Sequence, residues 1–134
     1  MLARATFQTN KLPGQPYTIA VWGDSGYGDN AQYRLGVKID GAHPDLMLHT
    51  GDLIYERGEA KDFDPKFFRV YASTLERAPF YGCLGNHDVL TMHGGPFLDN
   101  FLVPHNGPAM LPPGSNYSFD YACLLYTSPS PRDS

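Results

Sequence analysis

Three short apolar runs in this chain end in the same way. Tyr17-Thr-Ile-Ala-Val-Trp22 runs into Gly23-Asp24, Leu46-Met-Leu-His49 into Thr50-Gly51-Asp52, and Phe80-Tyr-Gly-Cys-Leu84 into Gly85-Asn86-His87-Asp88. A brief apolar run bounded by glycine reads as a buried strand, apolar on both faces as in a parallel sheet. A carboxylate just past such a strand is dry on one side and open on the other, a costly position unless a cation compensates it. Three repeats of the pattern call for strands lying side by side, with one metal site at the edge where their carboxyl ends meet.

The segments between the runs carry helical signals. Asp29 or Asn30 offers a cap, and Ala31, Leu35 and Ile39 recur at one face of a turn. Asp64 offers a second cap before Pro65, followed by a stripe of Phe67 or Phe68, Tyr71 and Leu75. Pro96 opens a short helix through Leu102, Val103–Ser115 reads as an extended loop, and Asn116–Tyr121 alternates as a fourth strand. Strands alternating with helices predict an α/β fold of β-α-β units with a mainly parallel sheet and right-handed crossovers.

Composition narrows the function class. A net charge of −4 gives no electrostatic reason to expect nucleic acid or an anionic membrane as partner. No apolar run approaches the roughly 20 residues that span a bilayer. An anionic substrate would need something other than lysine and arginine to attract it, and a pair of metal ions would do so.

Residues 11–16, with two prolines and a glycine, read as a linker, and 17–122 as the main domain. Residues 3–9 carry a weak strand alternation. Cys123 to Asp133 resembles the translation of a transposase adapter used in sequencing libraries, so 123–134 is set apart from the fold. The other reading is a natural Ser/Pro-rich tail. With the tail set apart, Cys83 is the single cysteine, and its apolar surroundings mark it as a small core residue.

Each candidate ligand has an ordinary alternative. Asp24-Ser-Gly26 is common turn chemistry, Tyr55 after a strand is often a rim aromatic, and Asn86-His87 occurs as a cap. Their joint occurrence, in order and each behind a strand, is what chance explains poorly.

These residues carry a resemblance. Gly23-Asp24-Ser25-Gly26, Gly51-Asp52-Leu53-Ile54-Tyr55 and Gly85-Asn86-His87-Asp88 resemble the first three of five motif blocks of the purple acid phosphatases, members of the calcineurin-like metallophosphoesterases. The resemblance runs from about Thr6 to Tyr121, and Thr6–Thr9 is similar to the end of the β-sandwich domain that precedes the catalytic domain, so residues 1–10 are expected to be its remnant. It implies the first half of a metallophosphoesterase αββα sandwich.

It also implies a site. Asp24 and Tyr55 would bind one metal, Asp52 would bridge both, and Asn86 would bind the second. Most members of the wider superfamily place a histidine where Gly26 stands, and in purple acid phosphatases the tyrosine corresponding to Tyr55 supplies the missing ligand. A phenolate suits a hard trivalent iron, so the implied cofactor is Fe(III) with a divalent Zn, Mn or Fe. The implied reaction is two-metal hydrolysis of a small phosphate ester. His87 would contact the phosphate or protonate the leaving alcohol. Asp88 would orient His87, or be a solvated turn aspartate.

The fourth and fifth blocks, with three histidine ligands, have no counterpart here. His43, His49, His93 and His105 read as structural or solvated, with His93 the best placed to line the site. The expectation is a truncated, inactive fragment of a phosphatase. A phosphodiesterase or nucleotidase, or a metal- or phosphate-binding module without turnover, are the alternatives. The resemblance favours a secreted or periplasmic parent, although Met1–Asn10 lacks the apolar core of a signal peptide.

Overall fold

The computed structural model describes residues 6, 7 and 9–128. Three strands, β1 (Ile19–Trp22), β2 (Leu46–His49) and β3 (Phe80–Gly82), form a parallel sheet in the order β1-β2-β3. Ile19 lies opposite Leu46, and Met47 opposite Phe80. The crossovers pass through α1 (Asn30–Gly41) and α2 (Arg69–Leu75), and α3 (Gly95–Asn100) follows the third strand. A hairpin, β4 (Ser118–Tyr121) and β5 (Leu124–Thr127), closes the described chain.

Strand periodicity sorts β2 into two faces. Met47 points into a core with Ile39, Phe63, Phe67, Tyr71 and Phe97 on the helical side. Leu46 and Leu48 point the other way, into a smaller core with Tyr121, Phe119 and Tyr81 beneath the hairpin. All four residues of β2 are buried. β1 departs from the expected burial on both faces: it is an edge strand, and Val21 is 60% exposed.

The helices start and pack for identifiable reasons. Asp29 caps α1, its Oδ1 accepting from the Gln32 amide at 2.8 Å. The buried face of α1 is Gln32, Gly36 and Ile39, turned from the expected Ala31-Leu35-Ile39 stripe. Gly36 is needed there because a Cβ would fall 2.8 Å from the Val70 carbonyl of α2. Asp64 makes no capping bond: residues Asp64–Phe68 wind as a π-turn before α2, and Asp64 pairs with Arg69 at 2.7 Å instead.

Residues 1–5 and 8, which hold most of the expected N-terminal strand, lie outside the described residues, as do 129–134. The linker bends at Pro13-Gly14, with the Gln15 amide bonded to the Leu12 carbonyl at 3.1 Å. β5 lies within the segment set apart in the sequence, so Leu124–Thr127 takes a place in the fold.

Candidate metal centre

The loops that follow the three strands pack backbone against backbone. The Asp24 amide donates to the Gly51 carbonyl at 3.1 Å, and the Tyr55 amide to the Gly26 carbonyl at 2.9 Å. A methyl at Gly26 would overlap the Leu53 carbonyl, and one at Gly85 would overlap the amide and carboxylate of Asp52. Glycine is what lets these loops approach so closely. Two aspartates pay for the arrangement with left-handed backbones, Asp24 at φ 52° and Asp52 at φ 55°. Each such conformation costs on the order of 1–3 kcal/mol, and strain of this kind clusters at functional sites.

The loops bring Asp24, Asp52 and Tyr55 to one point. Tyr55 Oη lies 3.0 Å from Asp24 Oδ1 and 3.0 Å from Asp52 Oδ2, so one phenolic proton faces two carboxylates. The other oxygen of Asp52 accepts the His87 backbone amide at 2.9 Å. Burial first, then the bonds to Asp24 and Asp52 and their charges, raise the phenol above its ordinary 10.0. Tyr27 stacks on the Tyr55 ring at 4.2 Å and 11°, and the His87 ring meets it edge-on at 4.6 Å. The phenol therefore has little freedom to turn away.

This donor set fits a hard cation. Two carboxylates and a phenol oxygen converge where a single proton is shared, and a metal ion satisfies such a set better than a proton can. Among the described residues, no group of three or more His, Cys, Asp or Glu side chains is placed to hold a metal. The convergent set here consists of two carboxylates and a phenol, with Asn86 on the neighbouring loop. Asn86 is exposed between Gly85, which abuts Asp52, and His87, whose amide holds Asp52.

His87 is oriented by a backbone carbonyl. Its Nδ1 lies 2.6 Å from Glu56 O, so Nδ1 carries the proton and Nε2 is left available. The expectation that Asp88 orients His87, or is solvated, requires correction. Asp88 is 1% exposed, and its carboxylate accepts the backbone amides of Leu53, Ile54 and Gly85 at 3.1, 3.1 and 2.9 Å. Burial pushes its acid upward, while those three bonds hold it down. His43, His93 and His105 are exposed.

A buried polar network behind the site escapes motif reading. His49 Nδ1 accepts the Gly51 amide at 3.3 Å, so its Nε2–H donates to Ser25 Oγ at 3.2 Å. That tautomer is the reverse of what a serine nucleophile needs from a base. Ser25 also bonds Tyr71 Oη at 3.1 Å, which accepts Trp22 Nε1 at 3.2 Å and Gln32 Nε2 at 3.4 Å. Gln32 further joins the Gly28 amide and the Lys66 carbonyl, each at 2.6 Å. Ser25 directly follows Asp24, so this network anchors the first loop. The available signal was the placement of His49, one face with Met47 on a buried strand.

The chain is similar to known proteins in sequence and in fold. Purple acid phosphatase 3 of Arabidopsis thaliana is 30% identical over 96 residues, which cover 63% of this chain and 25% of that protein. The structure of purple acid phosphatase PPD1 from yellow lupin (Lupinus luteus) seeds superposes with a TM-score of 0.65 at 20% identity, over 86% of this chain and 24% of that one. The chain thus spans about a quarter of the length of these relatives. Residues 17–127 match the family model described as calcineurin-like phosphoesterase, and the chain belongs to that family.

Proposed function

We propose that this segment is part of a metal-dependent phosphoric monoester hydrolase of the acid phosphatase type. The observation that supports the reading best is the position of Tyr55 Oη, 3.0 Å from a carboxylate oxygen of both Asp24 and Asp52. Asp24 and Tyr55 would hold Fe(III), Asp52 would be shared with a divalent Zn, Mn or Fe, and Asn86 would serve the second ion. When bound, two ions lower the pKa of water and stabilise charge on the phosphoryl oxygens.

The chain's own residues supply orientation and proton transfer. The His87 amide fixes one oxygen of Asp52, leaving the other toward Tyr55. His87, steered by Glu56 O, offers Nε2 to a phosphate oxygen or to the departing alcohol. The substrate is a small phosphate ester. The parent protein is secreted or periplasmic on this reading; among the described residues, no helix is long and apolar enough to cross a membrane.

A second reading has its own support. The proposed ligands include no imidazole, and two carboxylates, a phenol and an amide shared between two ions hold each weakly. On that ground the 134-residue chain by itself would bind metal or phosphate without turnover. A phosphodiesterase or nucleotidase would use the same centre with different distal loops.

Hydrolysis of p-nitrophenyl phosphate and bis(p-nitrophenyl) phosphate, by this chain and by the longer parent loaded with Fe(III) and Zn(II), separates these readings. Faster monoester cleavage by the parent, lost in Asp52→Asn, is the expected result. Faster diester cleavage moves the assignment to a phosphodiesterase, and no cleavage by a metal-loaded parent leaves the binding module.

A further inference from the structure

We propose that Asp88 is a positioning residue, a clamp that sets the separation of the loops carrying Asp52 and Asn86. The proposal rests on the reading of those two residues as ligands. The peptide amides of Leu53 and Ile54 follow Asp52 directly, and the Gly85 amide directly precedes Asn86. One carboxylate holds all three, Ile54 on Oδ1 and both Leu53 and Gly85 on Oδ2.

The chemistry of the site selects a carboxylate. The three donors approach two acceptor atoms, which neither a hydroxyl nor an amide can provide. Among the described residues no lysine or arginine pairs with Asp88, so the backbone donors alone compensate a charge that is 1% exposed. The far end of the same loop also wraps this residue: a Cβ at Gly58 would fall 2.6 Å from the Asp88 carbonyl. A second tie, Thr91 Oγ1 to the Arg57 carbonyl, joins the same segments farther along the chain.

The His87 amide, one residue before Asp88, is not among the donors to its carboxylate but reports on the same gap. It donates to Asp52 Oδ1 at 2.9 Å, across the gap that Asp88 spans. If Asp88 sets that gap, weakening it must loosen the His87 amide as well as its own three partners. If Asp88 did not set the gap, the His87 amide would keep its bond to Asp52 and stay protected.

The test is amide hydrogen exchange, read residue by residue by NMR, on the 134-residue chain as wild type, Asp88→Asn and Thr91→Val. In Asp88→Asn the amides of Leu53, Ile54, Gly85 and His87 are expected to exchange about tenfold faster or more, with β1 and α1 unchanged. Zn(II) added alone should bind on the order of tenfold more weakly to Asp88→Asn, and as tightly as wild type to Thr91→Val. Faster exchange confined to Leu53, Ile54 and Gly85, or spread evenly over the whole chain, overturns the proposal. Should Asp88→Asn not fold, the four amides of the wild type are expected to open with one shared free energy in increasing denaturant, and independent openings overturn it. A wild type that binds no Zn(II), but whose His87 amide follows Asp88, rejects the metal reading and leaves the clamp.

Discussion

Acid should act on this fold through His49. The side chain is 1% exposed, and burial lowers its pKa from the ordinary 6.5 to about 3. Its neutral form is built into the structure, with Nδ1 accepting from Gly51 and Nε2 donating to Ser25. The unfolded chain binds a proton at this ring below pH 6.5, whereas the folded chain resists until about pH 3. Stability is therefore full above pH 6.5 and falls as the pH drops through that window, by up to about 1.4 kcal/mol per pH unit. At pH 5 the loss from this one group is about 2 kcal/mol, a large share of the ~5–15 kcal/mol that holds a domain together.

Urea denaturation of wild type and His49→Asn at pH 7, 6, 5 and 4 measures the effect. Asparagine keeps an acceptor near the position of Nδ1 but does not titrate, so other acid-sensitive groups cancel in the difference. The wild-type curve should fall more steeply, with the two proteins converging as the pH drops. Parallel curves would show that His49 protonates freely in the folded state, and the buried network as described would be wrong.

Gly85→Ala places a methyl against the Asp52 amide and carboxylate, and should destabilise the chain by about 2–4 kcal/mol in urea, because backbone rather than a flexible side-chain end must move. Little change would mean that the two loops separate at little cost. Tyr71→Phe removes the hydroxyl that joins Trp22, Ser25 and Gln32, costing about 1–3 kcal/mol and altering the fluorescence of the chain's one tryptophan. Unchanged emission and stability would detach Trp22 from the network.

The sheet is legible in the sequence because each strand is a short apolar run closed by glycine, a pattern that leaves few alternatives once helices intervene. The convergence of Asp24, Asp52 and Tyr55 is legible for the same reason: strand ends in a parallel sheet share an edge. The edge position of β1 is not, since an apolar run does not state which strands flank it, and Val21 is exposed although its neighbours pack. Gln32 lies off the expected Ala31-Leu35-Ile39 stripe, yet it is buried with its amide bonded to Gly28, Lys66 and Tyr71. Asp88 reads as a partner of the adjacent His87, but its partners lie mainly 34 and 35 residues away on backbone atoms that carry no sequence signature. β5 falls in the stretch set apart for its resemblance to an adapter, and Leu-Leu-Tyr-Thr carries no polar alternation that marks it as a strand.

The most direct test of a shared metal pocket is titration of the chain with Fe(III), followed by visible absorption in wild type and Tyr55→Phe. With Asp24, Asp52 and Tyr55 meeting at one point, iron should develop a phenolate-to-metal band in the wild type that is missing from the variant. Iron that binds the wild type without that band, or with the same band in Tyr55→Phe, would contradict the account.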